Sequence, residues 1–256
     1  MIRRILDANV RISRAVDSLL PARLRQDGNG HFRTHYIPRA FGEDLHLYDL
    51  GGGSVPCISL EEKTRLRMKV TGLDISGDEL AAAPRGVYDQ AIEADLTTFQ
   101  GKEEADSVVC QSTLEHVKDT PGAIRAIGSC LKPGGRAFIF MPCRNAVFAQ
   151  VNRVLPQKMK EKLLFSLMPS KSEGHDGFAA YYDQCTPKQI KRLAEANGME
   201  VEEVRLYWIS SYFTICFPVF LLWRLYQGLL WLLIRGQACE TFMVVLRKKE
   251  IGTAAR

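Results

Sequence analysis

YDLGGGSVPCISLEEKTRLRMKVTGLDIS, residues 48–76, is the most informative segment of the chain. An apolar run ends in three glycines, a polar helical stretch follows, and a second apolar run ends in an acid. Glycines after a first strand let the backbone approach a ligand, and the next helix N-terminus favours an anionic group. An acid about twenty residues later accepts hydrogen bonds from ribose hydroxyls, and Asp74 lies 21 residues after Gly53. The segment therefore predicts a site for a cofactor that contains adenosine.

Apolar runs and helical stretches alternate on both sides of this segment. We predict strands over 45–50, 69–75, part of 89–96, 105–111, 136–142, 199–207 and 240–248. We predict helices over about 57–67, about 120–131 and 186–198, and a loop over 26–40. Repeated strand–helix units predict an α/β fold: a doubly wound, mostly parallel seven-stranded sheet whose last strand is antiparallel. Ligands of such sheets bind at the carboxyl ends of the strands.

The glycine pattern distinguishes between NAD and S-adenosylmethionine, which both contain adenosine. A dinucleotide site has the pattern GxGxxG, but counted from Gly51 the last position is Pro56. Asp49 precedes the glycines and gives the pattern D-x-G-x-G. A carboxylate here repels a pyrophosphate and suits a cofactor with an ammonium group, which favours S-adenosylmethionine.

Five motifs in order carry a resemblance to a known family. YDLGGGS, GLDIS, EADL, DSVVCQSTLEHV and LKPGGRAFIFMP resemble the successive motifs of class I S-adenosylmethionine-dependent methyltransferases, and the type 11 branch with its quinone methyltransferases is the most similar. The resemblance covers about residues 45–142 and the last two strands. Val55 stands where the family usually has a further glycine. The resemblance implies a methyltransferase domain over residues 41–256 with S-adenosyl-L-methionine as the methyl donor.

The resemblance also implies cofactor-binding roles. The aminoacyl end of the cofactor is assigned to Asp49, Gly51 and Gly53, the ribose to Asp74, and the adenine to Ile75, Asp95 and Leu96. Cys110 and Gln111, at the tip of the fourth strand, are expected near the methionyl part. Asp74 and Asp95 also fit a second interpretation, in which each caps a helix or a turn.

Candidates on the acceptor side follow from the chemistry. A hydroxyl acceptor must lose its proton, and a histidine is suited to remove it. His116 follows the fourth strand and is the candidate general base, although LEHV also fits a purely structural role. The segment 174–186 predicts a loop over the acceptor, with the substrate candidates His175, Asp176, Tyr181 and Tyr182. HFRTH (31–35) has the spacing of two metal ligands without an evident third, so we expect no metal.

The net charge of +5 resides in residues 1–40, which hold eight arginines and three aspartates. They predict a basic amphipathic helix that ends near Pro21 and then a loop. The helix either packs on the catalytic domain or contacts a membrane surface. Its apolar positions are Ile2, Ile5, Leu6, Ile12, Val16, Leu19 and Leu20. Because the basic charge is confined to one helix, we expect no nucleic-acid partner.

An apolar insert occupies residues 206–235, between the last two strands, and predicts a helix over about 218–234. Both strands meet the insert at one edge of the sheet, so a single membrane crossing is excluded. Three ways to bury the insert remain: at a membrane surface, in a homodimer interface, or as a lid over the enzyme's own pocket.

Seven scattered cysteines without a CxxC pair indicate reduced thiols and a cytoplasmic protein. We expect a peripheral or monotopic enzyme at the inner face of the membrane. It would methylate, at oxygen, a lipid-linked saccharide, a prenylated quinone or a related amphiphile. A soluble methyltransferase of small molecules that dimerises through the insert is the alternative, and a non-catalytic membrane-binding module is a further one.

Overall fold

The computed structural model describes residues 2–154, 179–210 and 213–250. A seven-stranded sheet with the order β3-β2-β1-β4-β5-β7-β6 organises the chain. Strand β7 runs antiparallel to both of its neighbours, β5 and β6, and the other pairs of neighbouring strands are parallel. The strands are β1 His46–Leu50, β2 Lys69–Asp74, β3 Gln90–Glu93, β4 Ala105–Gln111, β5 Leu131–Pro142, β6 Met199–Tyr207 and β7 Thr241–Lys248. This confirms the predicted fold class.

Helices and helical turns cover both faces of the sheet. The helices are α1 Ile2–Ser18, α2 Gly28–His31, α3 Leu60–Leu66, α4 Gly77–Ala81, α5 Thr120–Cys130, α6 Val147–Val154, α7 Pro187–Ala196 and α8 Phe217–Ile234. Five of them begin with a side chain that accepts a hydrogen bond from the first turn, as expected of helix caps. The capping residues are Asp27, Ser59, Ser76, Asp119 and Thr186.

Two apolar clusters, one on each face of the sheet, form the core. Helices α5 and α7 contribute to the first cluster, for example through Ile127 and Ile190. The second cluster contains Phe32, Tyr36 and Met68. Strand β1, which lies between β2 and β4, is buried along its whole length, as expected of a parallel strand covered on both faces.

The prediction of a loop over residues 26–40 is wrong. Helix α2 is followed by a π-helical turn, Phe32–Tyr36, and a 3-10 turn, Ile37–Ala40. These turns bury apolar side chains against one face of the sheet. Each turn is too short and irregular to produce a helical period in the sequence. Burial on the sheet, rather than local propensity, accounts for the segment.

The predicted N-terminal and insert helices are both present as α1 and α8, and they pack against each other. The contact face of α1 includes polar groups, because Ser13 and Asp17 are buried. Ile12 and Leu19, which belong to the predicted apolar face, are exposed. Helix α1 therefore uses only part of its apolar face within the protein.

Candidate active site

The glycine loop after β1 forms the base of the candidate site. Gly51 has φ +75° and Gly53 has φ +48°, which is the left-handed region that favours glycine. A Cβ at Gly51 would lie 2.2 Å from the hydroxyl oxygen of Thr113. The loop after β4 therefore packs directly on the glycine loop, which explains why no side chain fits at Gly51.

Asp49 lies beneath this loop, only 2% exposed. Its Oδ2 accepts a hydrogen bond from the amide of Cys57 at 2.8 Å and lies 3.2 Å from the hydroxyl of Tyr88. A Cβ at Gly52 would lie 2.3 Å from the same oxygen. Burial raises the pKa of Asp49 to about 6, although these hydrogen bonds act in the opposite direction. Asp49 thus holds the loop in shape, in addition to its predicted cofactor role.

Two further carboxylates flank the loop at the end of β2. A Cβ at Gly53 would lie 3.2 Å from both Asp74 Oδ2 and Glu79 Cβ. Asp74 Oδ1 accepts from the amide of Ser76 at 3.0 Å, and Ser54 donates to Glu79 Oε2 at 2.6 Å. Burial raises the pKa of Asp74, the Ser76 amide opposes this, and Glu79 adds to the rise. Asp74 is half-buried and keeps a carboxylate edge beside Gly53.

The predicted adenine-side residues occupy different environments. Ile75 follows β2 and is 59% exposed, so its side chain is accessible to a ligand. Asp95 is exposed, and its Oδ1 accepts from the amide and the hydroxyl of Thr97 at 2.8 and 2.7 Å. This arrangement is a turn that stabilises the chain after β3. The side chain of Leu96 is buried in the core, which favours a structural role for it.

The tip of β4 brings the N-terminal segment to the site. Gln111 Nε2 donates to Asn29 Oδ1 at 2.6 Å, so the α2 segment reaches the carboxyl edge of the sheet. The side chain of Cys110 is fully buried in the core. Only its backbone is therefore placed to contact a cofactor. His31 and His35 stack with ring centroids 5.0 Å apart, and the described part of the chain holds no cluster of three metal-ligating side chains.

Glu115 and His116 form a short 3-10 turn with Leu114 after β4. His116 Nδ1 lies 3.2 Å from the carbonyl oxygen of Ala179, and its Nε2 lies 4.0 Å from Glu115 Oε1. Glu115 is 5% exposed, and its Oε2 has no hydrogen-bond partner among the described residues. Burial raises the pKa of Glu115 to about 8. An acid that is protonated at neutral pH therefore lies beside the candidate base.

The segment that precedes α7 packs against Glu115 and His116. The amides of Tyr181 and Tyr182 donate to the carbonyl oxygen of Glu115 at 2.8 and 3.0 Å. Arg144, after β5, donates from Nη1 to the carbonyl oxygens of Tyr182, at 2.9 Å, and Asp183. Tyr181 is exposed, whereas Tyr182 is buried against Phe148. The side chain of Tyr181 is accessible to a ligand, whereas burial favours a structural role for Tyr182. His175 and Asp176 lie outside the described residues.

Several residues that shape the site were not identified from the sequence. The motif assigns no role to Gly52, although the missing side chain of this glycine makes room for the Asp49 carboxylate. Tyr88, Glu79 and Asn29 reach the site from separate elements. Their contacts are long-range, so no periodicity in the sequence indicates them.

The site fits S-adenosylmethionine. A Cβ would collide with neighbouring side chains at Gly51 and at Gly52, so only glycine fits at these two positions of the loop. The carboxylates Asp49 and Asp74 lie at the ends of adjacent strands, where an ammonium group and a ribose would be bound. Fold and site together define a nucleotide-type cofactor site at the carboxyl edge of an α/β sheet.

Comparison with known proteins identifies the family. A family model described as "Methyltransferase domain" matches residues 14–204. The chain belongs to this family of class I S-adenosylmethionine-dependent methyltransferases. The ubiquinone biosynthesis O-methyltransferase of Aeromonas salmonicida is 29% identical over 171 residues, 64% of this chain and 66% of that protein. The enzyme of the same name from Citrobacter koseri is 32% identical over 41% of this chain and 45% of its own length. This chain therefore matches less than two thirds of these relatives.

Solved structures share the fold at low sequence identity. Phosphoethanolamine N-methyltransferase 2 of Haemonchus contortus, in complex with S-adenosyl-L-methionine, aligns with a TM-score of 0.52 at 18% identity. The alignment covers 84% of this chain and 51% of that one. The YcgJ protein of Bacillus subtilis aligns with a TM-score of 0.54 at 13% identity, over 87% of this chain and 100% of its own.

Proposed function

We propose that the protein is a membrane-associated, cytoplasmic methyltransferase that transfers the methyl group of S-adenosylmethionine to oxygen on an amphiphilic acceptor. A prenylated quinone, a lipid-linked saccharide or a related lipid fits this description. The proposal rests on the exposed apolar face of α8. The chain enters α8 from the carboxyl edge of the sheet, which is the edge where the candidate active site lies.

The residues of the donor site bind and orient the cofactor. S-adenosylmethionine supplies a methyl group that is already activated by a positively charged sulfur. The glycine loop and Asp49 hold its aminoacyl end, and Asp74 holds the ribose. Alignment of nucleophile, methyl group and sulfur then supplies most of the acceleration, because proximity and orientation alone are worth several orders of magnitude.

His116 is the proposed base that takes a proton from the acceptor hydroxyl. Its Nδ1 lies beside a carbonyl oxygen, that of Ala179. A carbonyl can only accept, so Nδ1 carries the hydrogen and Nε2 has the lone pair. The His116 side chain is 35% exposed and follows the β4 tip directly. Nε2 is therefore the nitrogen suited to accept the proton.

The acceptor is proposed to be amphiphilic because of α8. Ten large apolar side chains on this helix are between 37% and 70% exposed. Full burial of each would contribute about 1.5–3 kcal/mol, so leaving the whole face in water is unfavourable. Strands β6 and β7 meet α8 at the carboxyl edge, where Tyr207 pairs with Thr241. An acceptor that partitions into a membrane would reach the site from this side. The names of the similar O-methyltransferases agree with a quinone-like acceptor.

Mass spectrometry of lipid extracts tests the proposal. Cells with the wild-type protein should contain a lipid that is heavier by one CH2 than its counterpart in cells without the protein. Cells that carry Gly52→Ala should lack this species, since the substitution disrupts the loop beneath the cofactor. Lipid extracts that are identical in all three strains contradict an amphiphilic acceptor.

The apolar face of α8 is also compatible with a soluble dimeric enzyme for small molecules. Gel filtration without detergent separates the two functions. A discrete dimer that does not sediment with membranes favours the soluble enzyme, whereas aggregates that detergent disperses favour the membrane-associated one.

A further inference from the structure

We infer that α1 and α8 form one docking surface for an anionic lipid bilayer, in which α8 supplies the apolar contact and α1 the positive charge. The inference rests on the membrane association proposed above and adds the chemistry of the lipid and the way the helices lie. It does not depend on the acceptor.

The polarity of α8 is inverted relative to a helix on the surface of a soluble protein. Its polar stripe faces inward: Gln227 Nε2 donates to the carbonyl oxygen of Trp208 at 3.1 Å, and Arg224 Nη1 donates to the same oxygen at 2.7 Å. Trp223 Nε1 donates to the buried Glu240 at 2.8 Å. The apolar side faces outward, with Leu222, Leu225 and Leu232 more than 60% exposed.

The stretch Phe217–Ala238 is 22 residues long and, by length and composition alone, could cross a membrane. The way in which α8 is attached to the rest of the protein argues against a membrane-spanning orientation. Only 17% of the apolar window in this stretch is buried, so it is not a core helix. Residues from the middle of the helix, Trp223, Arg224 and Gln227, contact the chain at Trp208 and Glu240. These two positions flank the paired ends of β6 and β7. A helix anchored at its middle lies along a surface, which is the interfacial orientation of amphipathic helices.

Helix α1 is fixed to α8 by two polar contacts. Asp17 Oδ1 accepts from Arg224 Nε at 2.9 Å, and Asn9 Oδ1 accepts from the amide of Phe217 at 2.8 Å. Ile12 of α1 is 48% exposed, and Leu19, directly after the helix, is 84% exposed. The two helices are therefore held together as one unit, and both carry exposed apolar side chains.

The charge of this unit favours anionic lipid. Helix α1 contains four arginines and two aspartates, α8 contains one arginine, and Arg23, Arg25 and Arg235 lie just beyond the ends of the two helices. One of the aspartates, Asp17, is buried against Arg224. Arg11 and Arg14 are exposed, and Arg235 lies 4.7 Å above the ring of the exposed Trp231. Basic residues next to an inserted apolar face strengthen binding to anionic headgroups.

A second copy of the chain is the less suitable occupant. In a symmetric dimer the same surface meets itself. The arginines of both copies would then face each other across an interface without acidic partners on α8. An anionic bilayer offers both the apolar volume and the opposite charge.

Vesicle flotation tests the inference with vesicles of phosphatidylcholine alone or mixed with phosphatidylglycerol, at low and high salt. The wild-type chain should bind the mixed vesicles at least about tenfold more strongly at low salt, and this preference should fall at high salt. The double variant Arg11→Glu/Arg14→Glu should lose the preference but keep weak binding. The triple variant Leu222→Ser/Leu225→Ser/Leu232→Ser should lose binding to both.

A matched control is Lys191→Glu/Arg192→Glu on α7, at exposed positions away from both helices, which should behave as wild type. Titration with S-adenosylmethionine shows whether each variant is folded. Equal binding to both vesicle types overturns the anionic preference while membrane association stands. Binding to neither type, or a discrete detergent-free dimer, overturns the docking surface. Failure of the wild-type chain to bind S-adenosylmethionine would instead contradict the proposed function.

Discussion

Asp17 and Arg224 form a buried ion pair across 207 residues of sequence, with Asp17 Oδ1 2.9 Å from Arg224 Nε and 2.7 Å from Nη2. Their side chains are 7% and 11% exposed. Burial lowers the pKa of Arg224, while Asp17 acts to raise it. The pair fixes the N-terminal helix to the apolar insert, which explains the polar residues on the contact face of α1.

Removal of one partner should be more harmful than removal of both. Asp17→Leu leaves the buried guanidinium unpaired, and breaking a buried pair in this way costs about 3–5 kcal/mol. The double variant Asp17→Leu/Arg224→Met should cost less than the sum of the two single variants. Urea unfolding measures all three free energies, and strictly additive losses would show that the two side chains do not interact.

Gly52→Ala should weaken S-adenosylmethionine binding at least about tenfold, because the added Cβ displaces the Asp49 carboxylate and distorts the loop. Titration calorimetry measures the dissociation constant. Gly228→Ala is the matched control, since a Cβ there meets nothing within 4 Å, and it should bind the cofactor as wild type does. Equal affinities for both variants would contradict the assigned role of the loop.

Arg144→Ala should slow methyl transfer without changing cofactor affinity. Arg144 holds the backbone of residues 182–183, and that segment packs on the carbonyl oxygen of Glu115 beside His116. Loss of this support should lower the rate roughly tenfold to a hundredfold, as measured by transfer of a labelled methyl group. Arg125→Ala, at an exposed position on α5, serves as the control. A rate equal to that of the control would mean that Arg144 does not position the acceptor side.

Glu115 should make the protein less stable as the pH rises. Its pKa is raised from 4.5 to about 8 in the folded state, so folding takes up a proton between these values. The stabilisation is complete below the lower value and is lost as the pH rises through the higher one. As the pH rises from about 5 to about 9, the free energy of unfolding should therefore fall less for Glu115→Gln than for wild type. Glu200→Gln, at an exposed position on β6, should follow wild type. Identical pH profiles for Glu115→Gln and wild type would contradict the raised pKa.

The sheet could be predicted from the sequence because its strands are apolar runs bounded by glycine, proline and capping residues. The predicted bounds of β4 and β6 agree with the structure, and β1, β2 and β7 differ by one residue at one end. Strand β5 begins at Leu131 rather than at 136, since Leu131 already pairs with Ala105 at the start of β4 before the register shifts. The turns over 28–40 were missed because tertiary burial, rather than a local period, stabilises them.

The candidate site was predictable where a motif lies on one strand end and unpredictable where distant segments meet. Asp49 and Asp74 follow from the strand–glycine–helix pattern. The helical period of α8 places Arg224 and Gln227 on one stripe, but the sequence does not predict that this stripe faces the protein interior. Which face of an almost wholly apolar helix points inward depends on partners such as Glu240 and Asp17, and these are distant in sequence.

Transfer of a labelled methyl group from S-adenosylmethionine by the purified protein, into a membrane lipid extract reconstituted in vesicles, is the decisive measurement. We expect label to enter the organic phase with the wild-type chain and not with Gly52→Ala. Label that remains wholly in the aqueous phase, while the chain still binds the cofactor, would contradict an amphiphilic acceptor.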